Sequence, residues 1–466
     1  MATNILQEPK YAILPVGQDI IYTITNDSVL ANYYNVKVIA QVFIGNTPIN
    51  FSTTPVAGTF KTTPNNAGSA IFNFRPILES FVKPSNTGFN NLQSFSSYKT
   101  AAYEANNPHP IHLINKYCLN TSLVKFCGFR FNLQGSSTPT GTPVDIQDTT
   151  AASSTLTFFD GYVKQDDPLT NVGGDVGLDI SRFYGTVIGG SSALSNAPTT
   201  QYANIGDYGT LPFLDPTRQI DKITLTYYAT DGTTDTEDVD NLYINGGIDV
   251  ASGKTERYLY FYGAFPANLR NWSTKFQALV TGGTIQGGYY TIQGVNSSGS
   301  NTTELYRINV LCDDLKNYES IRLTWLNQWG AWDYYTFTKK SVKSISTSKS
   351  TYNQLQGTWN EKFYQINGYK GGKKNFRVNA VEKIKINTDF VSETETEWFE
   401  ELINSTEVYV VNSFDDIDDT AIMTNKYVEP VRLMTSSYTK KTIANDKLIQ
   451  YTFEVEKSKT QRTQSV

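Results

Sequence analysis

Residues 321–338 read IRLTWLNQWGAWDYYTFT, and this stretch contains three of the six tryptophans in the chain. Its first part places apolar Ile321, Leu323 and Trp325 at every second position, which is the period of a strand with one buried face. Gly330 then interrupts the pattern and permits a backbone conformation closed to other residues. Strand-forming residues resume at 334–337. The stretch therefore predicts two strands joined by a tight corner.

The corner is lined with aromatic side chains: Trp325, Trp329, Trp332, Tyr334 and Tyr335. Because each indole buries roughly 150–250 Å², three of them are enough to anchor a domain core or a subunit interface. The favoured interpretation is a core corner. An aromatic platform for a ligand and a contact surface between subunits are the alternatives. These residues are our candidate structural or interface residues, together with Trp398 discussed below.

Composition favours a mainly β protein. Aromatic residues make up 13% of the 466 residues and charged residues only 18%, while Asn, Ser, Thr and Gly supply most of the polarity. Tyr, Phe, Thr, Val and Ile favour strands. We expect tandem β-sandwich domains with a small C-terminal α+β module. The predicted divisions are an N-terminal sandwich at 1–84, a loop with connecting strands at 85–155, a second sandwich with long loops at 156–338, and the module at 339–466.

The first predicted sandwich contains alternating or strand-rich stretches at 11–16, 20–25, 35–44 and 68–74, followed by a short helix after Pro76. Loops are expected at 84–108 and 134–155. Within the second sandwich, residues 166–209 and 231–240 read as long polar loops. Loops of this length are uncommon in compact domains, so we expect neighbouring subunits to order them.

The C-terminal module divides into a basic first half at 339–374 and an acidic second half. Ser392 and Glu395 form a capping-box pair. One apolar helical face follows, ending near Asn404 and made by Trp398, Phe399, Leu402 and Ile403. Strands are expected at 407–411 and 448–455, and a frayed tail at 456–466. The basic half is interpreted as a solvated face, with contact to an acidic surface of a neighbour as the alternative.

No catalytic, cofactor or metal site emerges from the motifs. The chain has a net charge of -5, so nucleic-acid binding is not expected. It has only two histidines, so a zinc site would need further ligands. Nucleotide-binding and nucleophile-elbow motifs are missing. The acidic runs at 231–240 and 415–419 lack EF-hand spacing, and calcium at them is left open. Cys118, Cys127 and Cys312 do not suggest a disulfide framework.

No apolar run is long enough to span a membrane, and the N-terminus lacks the pattern of a signal peptide. We therefore expect a product made in a cytoplasm. Two facing carboxylates would be needed for glycoside hydrolysis, and nothing in the sequence selects such a pair. The chain is therefore expected not to be an enzyme.

Four stretches resemble one family of proteins: GSAIFNFRPILESFV, ESIRLTWLNQWGAWDYYTFTKKS, TDFVSETETEWFEELINSTEVYVV and SSYTKKTIANDKLIQYTFEVE. They are similar to virion structural proteins of tailed phages, including crAss-like phages and phages of marine Bacteroidota. That family has a WLN-x-x-G-x-x-D-x-F-x-F corner, a W-x-E-x-L helix and an N-D-K-x-x-x-Y strand. The matching residues are Trp325, Leu326, Asn327, Gly330, Asp333, Tyr335, Phe337, Trp398, Glu400, Leu402, Asn445, Asp446, Lys447 and Tyr451. Tyr335 replaces a common phenylalanine.

The resemblance implies a tail, collar or fibre-adaptor subunit, and it implies no catalytic residue. We expect a structural protein that assembles in the virion as a homo-oligomer, with copies of itself and other virion proteins as partners. The alternative is an adhesin of the virion that binds a host receptor or host-surface glycan through aromatic residues and long loops. Exposure of the aromatic rings separates the two, because a sugar platform needs open ring faces and an assembly protein buries them.

Overall fold

The structure is a computed structural model that describes most of the chain. The described residues are 3–84, 116–119, 122–172, 175–184, 189–241, 258–312, 318–358, 360–412, 428–437, 439, 449–459 and 461–465. They are mostly in strands, which confirms the mainly β prediction. The chain forms two compact units. The first comprises Met1–Cys312, Leu326–Asp333 and Ser413–Asp415, and the second comprises Asp313–Trp325, Tyr334–Asn412 and Asp416–Val466.

The first unit begins with a sandwich of two sheets. The smaller sheet has the order β1 (Asn4–Gln7), β3 (Ile21–Thr25), β6 (Ser69–Asn73). The larger has the order β2 (Ile13–Pro15), β11 (Leu156–Phe159), β8 (Val124–Ser136), β4 (Tyr34–Gly45), β5 (Val56–Thr62), and β9 (Val144–Asp145) and β10 (Ala151–Ala152) pair with β8. The helices α1 (Asp27–Asn32) and α2 (Arg75–Leu78) flank them.

Both sheets contribute to one aromatic core. Phe74 stacks on Phe129 with ring centroids 4.3 Å apart, and Tyr22 lies 4.8 Å from Phe129. Phe72 and Phe131 complete the cluster. Burying five such rings stabilises the sandwich, because each contributes 1.5–3 kcal/mol on the usual scale of about 25 cal/mol per Å². Each strand expected at 11–16, 20–25, 35–44 and 68–74 is present, with bounds shifted by one or two residues.

Two of the predicted domain boundaries, the one after residue 84 and the one after residue 155, fall inside this sandwich. β8 comes from the predicted connecting region at 85–155, yet it is a central strand of the larger sheet. β11 comes from the predicted second sandwich, yet Thr157 pairs in parallel with Ile13. Pairing between strands about 140 residues apart depends on which faces pack together, and periodicity along the chain does not encode it. The predicted loop at 84–108, apart from residue 84, lies outside the described residues.

The other described residues of the first unit form three further sheets. One has the order β14 (Thr200–Ala203), β20 (Tyr306–Val310), β19 (Tyr289–Val295), β16 (Lys222–Tyr228), β17 (Thr234–Asp240). Another has the order β15 (Thr210–Leu214), β18 (Leu259–Gly263), β7 (Tyr117–Leu119), and β12 (Leu169–Val172) pairs with β13 (Asp175–Leu178). Two helices, α3 (Pro266–Trp272) and α4 (Thr274–Thr281), follow β18. Phe213 of β15 contacts Tyr306 of β20 at 6.2 Å between centroids, so the five-stranded and three-stranded sheets share a core.

The expectation that 231–240 forms a loop is wrong, because β17 occupies most of it. Its inward carboxylates have partners: Lys275 Nζ lies 2.7 Å from Asp235 Oδ1, and the Tyr227 hydroxyl donates to Glu237 Oε2 at 3.0 Å. These contacts overcome the low strand propensity of acidic residues.

The described parts of 166–209 are also packed within the unit. They contain β12, β13, β14 and a 3-10 turn at Ser181–Phe183. Leu178, Phe183 and Leu194 are at most 4% exposed. The prediction that only a neighbouring subunit could order this region is therefore wrong for the residues that the structure describes.

The described residues of the second unit form one large antiparallel sheet and one helix. The sheet has the order β22 (Trp332–Phe337), β21 (Ile321–Leu326), β25 (Val408–Val411), β26 (Val428–Leu433), β27 (Thr452–Lys457), β24 (Gly372–Asn387), β23 (Val342–Gln354), and β28 (Gln461–Ser465) also pairs with β24. The helix is α5 (Glu393–Asn404), as the capping box predicts. The expected final strand begins later, at Thr452. The expected frayed tail is wrong, because β28 pairs with β24 through backbone hydrogen bonds.

Candidate assembly surface

The aromatic corner is buried. Trp325 is 0% exposed, Trp332 1%, Trp329 4%, Trp398 2% and Tyr334 4%. A ring with so little exposed area offers no open face to a sugar, so these residues do not form a ligand platform. The corner serves the core of the molecule, and any additional role at an interface stays a prediction.

Hydrogen bonds and backbone conformation explain why the corner contains Asn327, Gly330 and Asp333. In the first unit, Asn327 Oδ1 accepts from the backbone N–H groups of Trp329 and Ala331, each at 3.0 Å. Its Nδ2 donates to Asp333 Oδ1 at 3.1 Å. Gly330 has φ +73°, and a Cβ there would lie 1.9 Å from the carbonyl oxygen of Asp160. Asn327, Gly330 and Asp333 are therefore needed to shape the turn, which accounts for them without any chemistry.

In the second unit, the indole of Trp325 packs on α5. Its ring lies 5.0 Å from Trp398 and 6.2 Å from Phe399, and Phe399 lies 5.8 Å from Phe453 of β27. The Tyr335 hydroxyl accepts from the backbone N–H of Asp389 at 3.2 Å, and burial raises the pKa of this phenol. The predicted apolar face of the helix is confirmed for Trp398, Phe399 and Leu402, the last of which is 0% exposed.

Buried polar groups in the first unit serve structure. Ser273 caps α4 by accepting from Phe276 N–H at 3.0 Å, and Glu237 accepts from the Ser273 hydroxyl at 2.5 Å. Burial raises the pKa of Asp215, against the lowering effect of backbone donors at Ile220 and Gln219. Those donors occupy both carboxylate oxygens at 2.9 and 2.7 Å. Neither arrangement leaves an acid or a nucleophile directed toward open space.

The structure describes some of the candidate metal ligands and leaves others outside the described residues. In the described part of the chain, no group of three or more His, Cys, Asp or Glu residues is arranged to hold a metal ion. His109, His112 and the acidic run at 415–419 lie outside the described residues. Cys127 is buried, which raises the pKa of its thiol, and Cys312 is exposed. Among the described residues, no helix has the length and apolar character needed to cross a bilayer.

The outer face of the five-stranded sheet carries exposed aromatic residues, but their geometry does not favour sugar binding. Tyr228 stacks on Tyr289 with centroids 4.5 Å apart, and the Arg307 guanidinium lies 3.6 Å from the Tyr289 ring centre. Two groups this close to one ring must occupy its opposite faces. Both faces of the Tyr289 ring are therefore covered. Tyr202 is 57% exposed, but among the described residues no second ring lies beside it to complete a sugar-binding platform.

A different surface of the protein lies outside the hydrophobic core. We call residues 342–377 the arm: they comprise β23, the turn region that follows, and the first six residues of β24. All residues of β23 are exposed except Tyr352 and Gln354, which are half-buried, and Gly372 to Arg377 are exposed as well. Strands that pack on a core show one buried face, and this ribbon shows none. Its pairing with β24 nevertheless extends from Val342 opposite Lys385 to Gln354 opposite Gly372, with one register shift between Ser350 and Thr351.

The turn region of the arm exposes large apolar side chains. Tyr369 is 77% exposed, Phe363 70% and Ile366 68%, and on β23 Ile345 is 72% exposed. Single exposed apolar residues are ordinary, but a concentration of them on one hairpin marks an interaction surface. An isolated two-stranded hairpin is also only marginally stable in water, so its length favours a partner.

The arm is basic. It contains seven Lys and Arg residues and one acidic residue, Glu361, which gives a net charge of +6 in a chain whose total is -5. This basic stretch is visible in the sequence, which leaves two interpretations open: a solvated face, or a contact with an acidic surface of a neighbour. It did not predict a projecting hairpin, because Ser and Thr fill the alternating positions of β23 and leave no apolar face to recognise.

The free edge of β23 is open, whereas that of β17 is not. On β17 the Thr236 N–H donates to Asp235 Oδ1 at 2.8 Å, and Lys275 Nζ donates to the Thr236 carbonyl at 2.7 Å. Those side chains occupy the backbone groups that another strand would use. β23 is the terminal strand among those described for its sheet, and no comparable side-chain cap covers its 13 described residues.

Neither protein-family models nor curated protein sequences match this chain. Among the described residues, the arm is the surface best suited to contact a partner, because it is basic and exposes large apolar side chains.

Proposed function

We propose that the protein is a structural subunit of a tailed phage virion, a tail, collar or fibre-adaptor component that acts through protein–protein assembly. The observation that supports this most directly is the arm, whose strands are exposed on both faces and whose turn region exposes Phe363, Ile366 and Tyr369. Burying those side chains against a neighbour would gain roughly 1.5–3 kcal/mol per fully buried residue. The resemblance to virion proteins supports the same role, as do the structural explanations for Asn327 and Gly330.

The aromatic residues favour assembly over the adhesin alternative. The corner tryptophans Trp325, Trp329 and Trp332 are buried, and Tyr289 is covered on both ring faces. Host-glycan binding would need open faces, and the exposed apolar residues of the arm include aliphatic Ile345 and Ile366. Aliphatic side chains suit a protein partner better than a sugar, which is bound chiefly through ring stacking and hydrogen bonds.

The experiment is to purify the phage particles that encode this chain and quantify the protein in them by mass spectrometry. We expect a fixed copy number in particles, and immunogold labelling at the tail or neck. A phage carrying the double substitution Phe363→Ser and Tyr369→Ser should make folded protein that is missing from the particles.

The matched control is a phage carrying Tyr202→Ser and Leu305→Ser, which removes two exposed apolar residues outside the arm. Its protein should enter particles at the wild-type copy number. Finding the wild-type chain only in the soluble lysate would overturn the proposal, as would normal incorporation of the arm variant.

A further inference from the structure

The charge of the arm identifies the kind of surface that it meets. The arm has a net charge of +6 and the whole chain -5, so the residues outside the arm carry -11. We propose that the arm of one copy docks on the acidic surface of a second copy, outside that copy's own arm. This inference rests on the proposed function, since it names the partner of the same surface.

Two arms are poor partners for each other. If β23 strands from two copies paired along their open edges, Lys343 and Lys349 of one ribbon would come close to the same lysines of the other. Like charges directly opposite in a sheet are destabilising. An arm placed on the remainder of another copy instead brings +6 toward -11, and complementary potentials of this kind accelerate association and select the partner.

The apolar side chains distinguish this partner from nucleic acid. A basic ribbon with serine hydroxyls on β23 could contact phosphates, but Ile345 and Ile366 are 72% and 68% exposed and gain nothing from a phosphate backbone. A protein surface accommodates both features, because interfaces combine an apolar centre with a charged rim.

Contact between two different surfaces has a consequence for symmetry. An arm that docks on a non-arm surface of the next copy makes a heterologous contact, which closes into a ring or continues as a filament. If two copies instead exchange arms, each arm docks on the other copy and the pair closes about a two-fold axis. A dimer in which arm meets arm is not expected.

The test is photo-crosslinking in a mixture of unlabelled and nitrogen-15-labelled full-length protein. Benzoylphenylalanine replaces Tyr369, which is 77% exposed, and in the control preparation it replaces Tyr202, which is 57% exposed. We expect crosslinks between light and heavy chains that join the arm peptide to peptides outside 342–377. Any crosslink between copies in the Tyr202 preparation should lead to the arm peptide, and the yield from the arm should fall as salt concentration rises.

A second variant checks the electrostatic argument. Lys349→Glu with Lys374→Glu should lower the intermolecular yield at least about tenfold, equivalent to roughly 1.4 kcal/mol. Lys10→Glu with Lys37→Glu, which lies outside the arm and makes the remainder of the chain more acidic, should not lower it.

Several outcomes would overturn the inference. They are arm-to-arm crosslinks, nuclease-sensitive products, crosslinks from Tyr202 that join non-arm peptides of two copies, and absence of crosslinks between copies. If the arm instead crosslinks to another protein in purified particles, the second-copy inference fails while the proposed virion function stands. If the chain is missing from particles, the proposed function fails whatever the crosslinks show.

Discussion

The two ends of the eight-stranded sheet differ in what covers their faces. At one end, β21 and β22 hold buried side chains at nearly every position, and α5 lies over Trp325. At the other end, ten consecutive residues of β23 are exposed on both faces. The same backbone ladder runs through both ends. Burial therefore stabilises one end, whereas the other is held by its pairing with β24.

This difference separates stability from interaction within a single sheet. β24 is anchored at Lys383–Asn387 by β27 and near Arg377–Ala380 by β28, so the arm is supported at its base and free beyond it. Substitutions at the covered end should unfold the protein, and substitutions in the arm should leave it folded and remove its partner. The following predictions test that division.

The largest expected effect is at the covered end. Trp325→Ala should lower the free energy of unfolding by about 3–5 kcal/mol, because the indole is fully buried against Trp398 and Phe399. Urea titration followed by far-ultraviolet circular dichroism would measure it. Phe363→Ala is the control, and a loss of similar size there would remove the distinction between the two ends.

A smaller effect is expected at the helix that covers this end. Ser392→Ala should cost about 0.5–2 kcal/mol, since Ser392 Oγ accepts from Glu395 N–H and its N–H donates to Glu395 Oε2 at 2.7 Å. The same urea titration applies, with Ser346→Ala on exposed β23 as the matched serine control. Equal costs for the two substitutions would argue against the cap.

The smallest effect on folding is expected in the arm. Ile345→Ser should change the free energy of unfolding by no more than about 0.5 kcal/mol, as at other exposed positions, while assembly monitored by sedimentation velocity weakens. A loss above about 1.5 kcal/mol would mean that Ile345 packs inside the molecule. Unchanged assembly would mean that the arm is not its contact surface.

How far the sequence predicts this molecule depends on how local the signal is. The α5 helix follows from Ser392, Glu395 and the spacing of Trp398 and Leu402, because capping and one apolar face act within a few turns. The corner follows from Trp325 and Gly330 for the same reason. Helices α3 and α4 were not predicted, although Pro266 at the first helical position and the Ser273 cap were signals for them.

The long-range features could not be read in this way. Nothing near Ile13 indicates that it pairs with Thr157. The acidic β17 strand depends on Lys275 and Tyr227, which are supplied by other elements. The arm escaped prediction because its strands lack the alternation that identifies a buried face. The sequence of the arm does show a concentration of basic residues. That charge suggests a contact surface but does not predict a hairpin.

The parallel pairing of β2 with β11 has a consequence for synthesis. Ile13 is synthesised about 140 residues before its partner Thr157, a delay of roughly 7–30 s at 5–20 residues per second. During that interval the nascent chain carries apolar strands with an incomplete sheet. The first unit is also incomplete until Leu326–Asp333 has been made. Ribosome-bound chains that end before residue 156 should accordingly be sensitive to protease across β2, and longer ones protected.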